Sequence, residues 1–202
     1  RDTRGCKVML IDRGQTFRVL VVAAERFGVD LDNPAAIDAY LGDKTNIAAC
    51  VQFVKDVYHM AKSERDTLLY TNAVGANSAK VGARAASQEF VKMLTKKWLR
   101  DAASEGYEVV LVDGRTLEMV AREMQDDGLC DYRLGLYFVC DPRVGARRTL
   151  GYAAKQYDEL NADEKQEVDD FVTQIEERNR RDKERSVERL APPVGAQTYH
   201  LP

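Results

Sequence analysis

Two kinds of hydrophobic spacing alternate along the chain. Lys7–Ile11 ends in an unbroken apolar run of strand length, after which Phe17, Leu20, Val21, Ala24 and Phe27 recur at helical spacing. This predicts a strand and then a helix over Gln15–Phe27. Asp32 or Asn33 caps the next helix, with Pro34 in its first turn and its end at Gly42. Thr45–Thr71 is left open by the pattern, although Val51, Val54, Val57, Tyr58 and Ala61 are again spaced as in a helix. Ser78–Ala103 is expected as one long helix with Phe90, Leu94 and Trp98 on a single core face, separated from the next strand by Gly106. The second half continues the alternation, with a strand Val109–Val112, a helix Leu117–Gln125, a strand Arg133–Cys140, and a helix begun by Asp141 and Pro142. Asn161-Ala162-Asp163-Glu164 has the form of a capping box for a helix that runs to the arginines near residue 180. Thr198–Leu201 is expected as a last strand. Strands that alternate with helices imply an α/β fold, a three-layer parallel sheet with helices on both faces.

Composition narrows the class. At 202 residues and 45% hydrophobic content the chain suits one domain, or a core with a small inserted lobe, and the net charge of −3 argues against a nucleic-acid surface. The longest apolar run, Val19–Ala24, is far below the roughly 20 residues needed to span a membrane. No signal-peptide pattern opens the chain, so cytoplasmic residence is expected. Cys6, Cys50, Cys130 and Cys140 lack metal or redox spacing, and no metal site is expected from them. Neither His59 nor His200 has a sequence partner that suggests catalysis.

Arginine supplies the candidate chemistry. Glu177-Arg178-Asn179-Arg180-Arg181-Asp182-Lys183-Glu184-Arg185 closes the last helix, and two readings of it stand side by side. Cations favour the negative end of a helix dipole and commonly form a solvated surface. Guanidinium forks also match phosphate oxygens, and the Asp182 carboxylate suits sugar hydroxyls. Two strand ends carry further arginines: Val109–Val112 runs into Asp113-Gly114-Arg115, and Lys7–Ile11 into Asp12-Arg13-Gly14, with Arg18 on the following helix. Ligands of open α/β sheets sit at such carboxyl ends.

With these segments in view, the chain resembles the bacterial cytidylate kinases, a family of nucleoside monophosphate kinases. The similarity is ordered. Ile11-Asp12-Arg13-Gly14-Gln15-Thr16-Phe17-Arg18 is similar to the family's Asp-Thr-Gly-Ala-Met-Tyr-Arg segment, and Arg26–Asp32 to its continuation. Ala73–Val81 is similar to Val-Gly-Asn-Ala-Ala-Ser-Lys-Val, and Val112–Arg115 to Ala-Asp-Gly-Arg-Asp. Leu136–Cys140 with Val144–Arg148 resembles the strand and lid entry, and Arg178–Arg185 fits Arg-X-X-X-Asp-X-X-Arg. The resemblance implies a P-loop kinase fold with core segments 1–44 and 78–202, a small substrate-binding lobe over 45–77, and a lid around 143–160. It implies ATP-dependent phosphorylation of CMP or dCMP with Mg2+. It further implies a single small-molecule nucleotide partner, no nucleic acid or membrane, and a monomer. In that frame Arg18, Arg115 and Arg185 hold the monophosphate, Arg178 and Asp182 the sugar, and Arg147 and Arg148 close the lid. Asp113 either positions magnesium through water or holds Arg115.

The departures concern the base and the donor. The family's base-reading serine, arginine and aspartate correspond to Ala79, Gln88 and Thr116, with Ser78 one position from the expected hydroxyl. Gln88 both donates and accepts, so an altered form of cytosine recognition survives this exchange. Arg13 replaces a small polar residue, either sealing the pocket or adding a phosphate contact. No Gly-rich loop ending in Gly-Lys-Ser/Thr occurs in the 202 residues, and Lys44-Thr45 lacks its preceding strand and glycine. The family fold is therefore expected without its first strand and phosphate loop. The expectation is a fragment or incompletely observed kinase, with two rivals: an inactive nucleotide-binding or scaffold homologue, and a same-fold kinase with another base preference.

Overall fold

A computed structural model describes residues 5–184 and 189–192 of the chain. Arg185, His200 and the expected strand Thr198–Leu201 lie outside the described residues. The chain divides after Tyr132 into two compact units.

The first unit begins with β1 (Val8–Asp12), whose last residue also starts α1 (Arg13–Arg26): Asp12 Oδ1 accepts the Gln15 amide at 2.8 Å. Six successive residues of α1, Val19–Ala24, are buried, and a helix apolar on all sides must be surrounded. Its neighbours are α3 (Lys44–His59), α4 (Lys62–Leu69), α5 (Asn72–Gly82) and α6 (Ala85–Ser104). The short α2 (Pro34–Gly42), capped by Asn33 with Pro34 at its start, packs on α3 and α6. Residues 45–77 are thus helical, and Cys50, Val54, Val57, Leu69 and Val74 join the same core as α1.

The expected helix over Ser78–Ala103 is interrupted. Gly82 ends α5 and Arg84 is extended (φ −86°, ψ 134°) before α6 resumes. Glycine weakens the helix there, and two tertiary contacts hold the corner. Arg84 forms an ion pair with Asp38 of α2, and the Gln88 amide donates to the Gly82 carbonyl.

β1 pairs in parallel with β2 (Val109–Asp113), Val8 opposite Val109 and Asp12 opposite Asp113. Met9, Ile11, Val110 and Val112 point to one face, where α6 and α7 (Glu118–Asp126) cover them with Trp98, Leu99, Val120 and Met124. The other face is open, with Leu10 62% and Leu111 54% exposed.

In the second unit, residues 133–140 form no strand, and Leu134, Leu136, Phe138 and Val139 are exposed. Then come α8 (Pro142–Thr149), a 3-10 turn at Tyr157–Glu159, and α9 (Ala162–Glu184). The expected caps form: Asp141 accepts the Arg143 and Val144 amides, and Asn161 and Glu164 exchange bonds of 2.9 Å each. Ala146, Leu160 and Val168 make the small core, backed by Phe171 and Ile175.

These observations correct the expected fold class. The chain is mostly helical with a two-stranded parallel sheet, not a three-layer α/β sheet with helices on both faces. The physical reason lies at Arg133–Cys140. Its apolar run satisfies a strand pattern, but a strand exists only where a neighbouring edge accepts its backbone hydrogen bonds, and no such pairing forms among the described residues. No helix among them is long and apolar enough to cross a membrane.

The core makes a chemical prediction. Cys50 is buried, shares a 3.0 Å hydrogen bond with Tyr40 Oη, and has its thiol pushed up by burial, whereas Cys140 is exposed. Because the thiolate is the reactive species, brief iodoacetamide treatment of native protein should alkylate Cys140 and leave Cys50 untouched until unfolding. Peptide mass mapping of the two sites checks this, and early labelling of Cys50 would contradict the core.

Candidate functional site

The carboxyl end of β1 opens into a cavity of about 530 Å3, within the range of small-ligand sites. Its lining comes from four elements: Leu10 and Asp12 of β1, Gln15 of α1, Tyr58 near the end of α3, and Lys62, Arg65 and Asp66 along α4, with Tyr70 just after it. The parallel pairing explains the place, since strand register sets Asp12 and Asp113 side by side at one sheet end.

Hydrogen bonds hold the walls. Tyr58 Oη and Thr16 Oγ1 each donate to the Asp12 carbonyl at 3.1 Å, tying α3 to the strand end. Arg18, two turns into α1, donates from one guanidinium nitrogen to the Leu69 carbonyl at 3.0 Å and lies 4.7 Å from the Tyr70 ring centre, a cation–π contact. Lys62 pairs with Asp66 one turn along α4. Burial pushes the Tyr58 and Tyr70 hydroxyls up, so both stay neutral donors at ordinary pH.

The expected site residues distribute as follows. Arg18 and Ser78 reach one corner: a Cβ on Gly75 would lie 3.7 Å from the Arg18 guanidinium, and Ser78 Oγ donates to the Gly75 carbonyl at 2.8 Å. Arg13 is buried, and its Cβ lies 3.6 Å from where a Gly114 Cβ would stand, so it packs on the turn after β2. Asp113 and Arg115 of that turn are exposed, while Thr116 is buried. Gln88 is buried and uses its amide nitrogen on Gly82, leaving Oε1 without a partner.

The remaining residues belong to the second unit. Arg178 and Asp182 stand one turn apart on α9. Their neighbours Arg180 and Arg181 bond within that helix, Arg180 with both Glu177 and Glu184, so this part of the cluster is helix-surface ion pairing. Arg147 donates to the Lys155 carbonyl and fastens the turn after α8, and Arg148 is exposed.

Sequence reasoning passed over Tyr58, Lys62, Arg65, Asp66 and Tyr70. Their only signal was the density of charge and aromatic residues across residues 58–70, which also suits a surface helix. Among the described residues no group of three His, Cys, Asp or Glu side chains is arranged to hold a metal ion, and Asp12 Oδ1 is engaged by the Gln15 amide. No family model matches the chain, and no curated protein or solved structure is similar to it.

Proposed function

We propose that this chain binds a pyrimidine nucleoside monophosphate, CMP or dCMP, as the phosphoryl acceptor of a cytidylate kinase-like transferase. The observation that carries the proposal is the contact of Arg18, the family-matched phosphate arginine, with the ring of Tyr70, which lines the cavity at the β1 carboxyl end. Phosphoryl transfer depends mainly on positioning and on cations near the phosphate oxygens. Arg18 and Arg115 serve the monophosphate. The partnerless Gln88 Oε1 is an acceptor suited to an exocyclic amino group, and the resemblance adds Thr116 and Ser78 as base-reading positions.

A second reading has its own support. The 202 residues contain no Gly-rich loop ending in Gly-Lys-Ser/Thr to cradle a donor triphosphate, which favours nucleotide binding without transfer by this stretch. Calorimetric titration with CMP, UMP, AMP and cytidine, run beside an ATP-coupled phosphorylation assay, tests both. CMP should bind best, with a margin over UMP below about tenfold, or roughly 1.4 kcal/mol, because Thr116 offers no charged acceptor. No phosphorylation is expected from residues 1–202 alone. CMP binding no tighter than cytidine binding would defeat the acceptor reading, and turnover with ATP would remove the second one.

A further inference from the structure

The charges on the wall of the β1 cavity cancel, Asp12 and Asp66 against Lys62 and Arg65. Lys62 pairs with Asp66, while among the described residues Asp66 Oδ1 and Asp12 Oδ2 accept no hydrogen bond. An anion brought here would meet both carboxylates, and a cation would meet Lys62 and Arg65, so the wall favours neither sign. Its open carboxylate oxygens instead suit the hydroxyl and N–H donors of an uncharged ligand.

Aromatic surface supplies the rest. Tyr58, Tyr70 and Leu10 also line the cavity, and apolar and aromatic walls with a few placed polar groups are the usual make-up of a small-ligand site. Tyr58 is fixed by its hydroxyl on the Asp12 carbonyl and by Trp98, with ring centres 5.4 Å apart. Tyr70 differs. It is half exposed, and Arg18, which does not line the cavity, stands 4.7 Å from its ring centre. One side of this ring thus meets a cation and another the cavity, where a flat ring can stack on it.

We propose that the cavity takes an uncharged planar ring, the base of the nucleotide, with Tyr70 as its stacking residue and the phosphate outside the cavity on Arg18. This rests on the acceptor reading and adds to it a wall contact for the base.

Calorimetric titration of the full chain with cytidine, CMP and ribose 5-phosphate separates ring from phosphate. Tyr70→Leu keeps apolar bulk without a ring and should weaken cytidine and CMP by about tenfold. Ribose 5-phosphate, with Arg18 still held by the Leu69 carbonyl, should lose no more than about threefold. Tyr70→Phe should restore wild-type affinity for all three. In protein whose only protonated aromatic rings are tyrosines, the H5 and H6 protons of bound cytidine should show nuclear Overhauser contacts that vanish in Tyr70→Phe. Cytidine affinity equal in wild type and Tyr70→Leu, or a loss for ribose 5-phosphate as large as for cytidine, overturns the proposal and leaves the acceptor reading intact. Absence of the ring contacts in wild-type protein that binds cytidine overturns it even if Tyr70→Leu does not fold. Ring contacts from cytidine, with CMP binding no tighter than cytidine, uphold the ring site and remove the acceptor reading. A chain that binds neither cytidine nor CMP overturns both.

Discussion

Arg18→Ala is expected to weaken CMP binding by about 1.5–3 kcal/mol, a loss of roughly ten- to 150-fold, while cytidine binding stays within about a factor of two. The range is that of a hydrogen bond to a charged group, and Arg18 offers it from a side chain already positioned by the Leu69 carbonyl and the Tyr70 ring. Pre-positioning matters because a long flexible cation otherwise loses rotamer freedom on binding. Titration calorimetry with CMP and cytidine measures the two losses separately. Arg18→Lys keeps the charge but not the planar fork, and should fall between wild type and alanine. A parallel thermal melt separates ligand affinity from wall collapse. Equal losses for both ligands, with an unchanged melt, would sink the phosphate role.

Leu69→Ala should destabilise the protein by about 2–5 kcal/mol, the range for removing a fully buried leucine. Leu69 ends an eight-residue helix and is completely buried against the core around α1. So short a helix cannot sustain itself by backbone hydrogen bonds alone. Its packing therefore holds Lys62, Arg65 and Asp66 in place at the cavity, and its carbonyl holds Arg18. Urea denaturation should show a lower midpoint with an unchanged slope. Met93→Ala, at a side chain 40% exposed on α6, should change stability much less, by about 0.5 kcal/mol. A Leu69→Ala shift no larger than that of Met93→Ala would show that α4 is not held through Leu69.

The cavity was half legible in advance. Asp12 and Arg18 stood out because a strand-length apolar run followed by Asp-X-Gly, then an arginine on a helix, can be read within a dozen residues. Their partners Tyr58, Arg65 and Tyr70 lie some 40 to 60 positions further along the chain, and nothing local distinguishes a cation that faces a cavity from one that faces water. The arginine cluster of α9 shows the converse. It drew attention by density alone, yet Arg180 is satisfied by Glu177 and Glu184 within a turn on either side.

What the sequence determined by itself is the local structure. Asp12, Asn33, Asp141 and Asn161 start helices as their side chains require, the α1 segment forms where apolar spacing places it, and α9 follows its capping box, whereas Thr45–Thr71 stayed open between a helix and a substrate lobe. A helix closes its hydrogen bonds within its own segment, so composition and caps suffice to announce it. Tertiary structure alone decided the rest: that Ser78–Ala103 breaks at Arg84, which answers Asp38 of another helix, and that β1 finds β2 while Arg133–Cys140 forms no strand among the described residues. It also decided that Arg65, from another helix, lines the cavity beside Asp12. Strand pairing, helix corners and cavity walls all depend on groups brought together from distant positions, and their energies are defined only once the chain has folded.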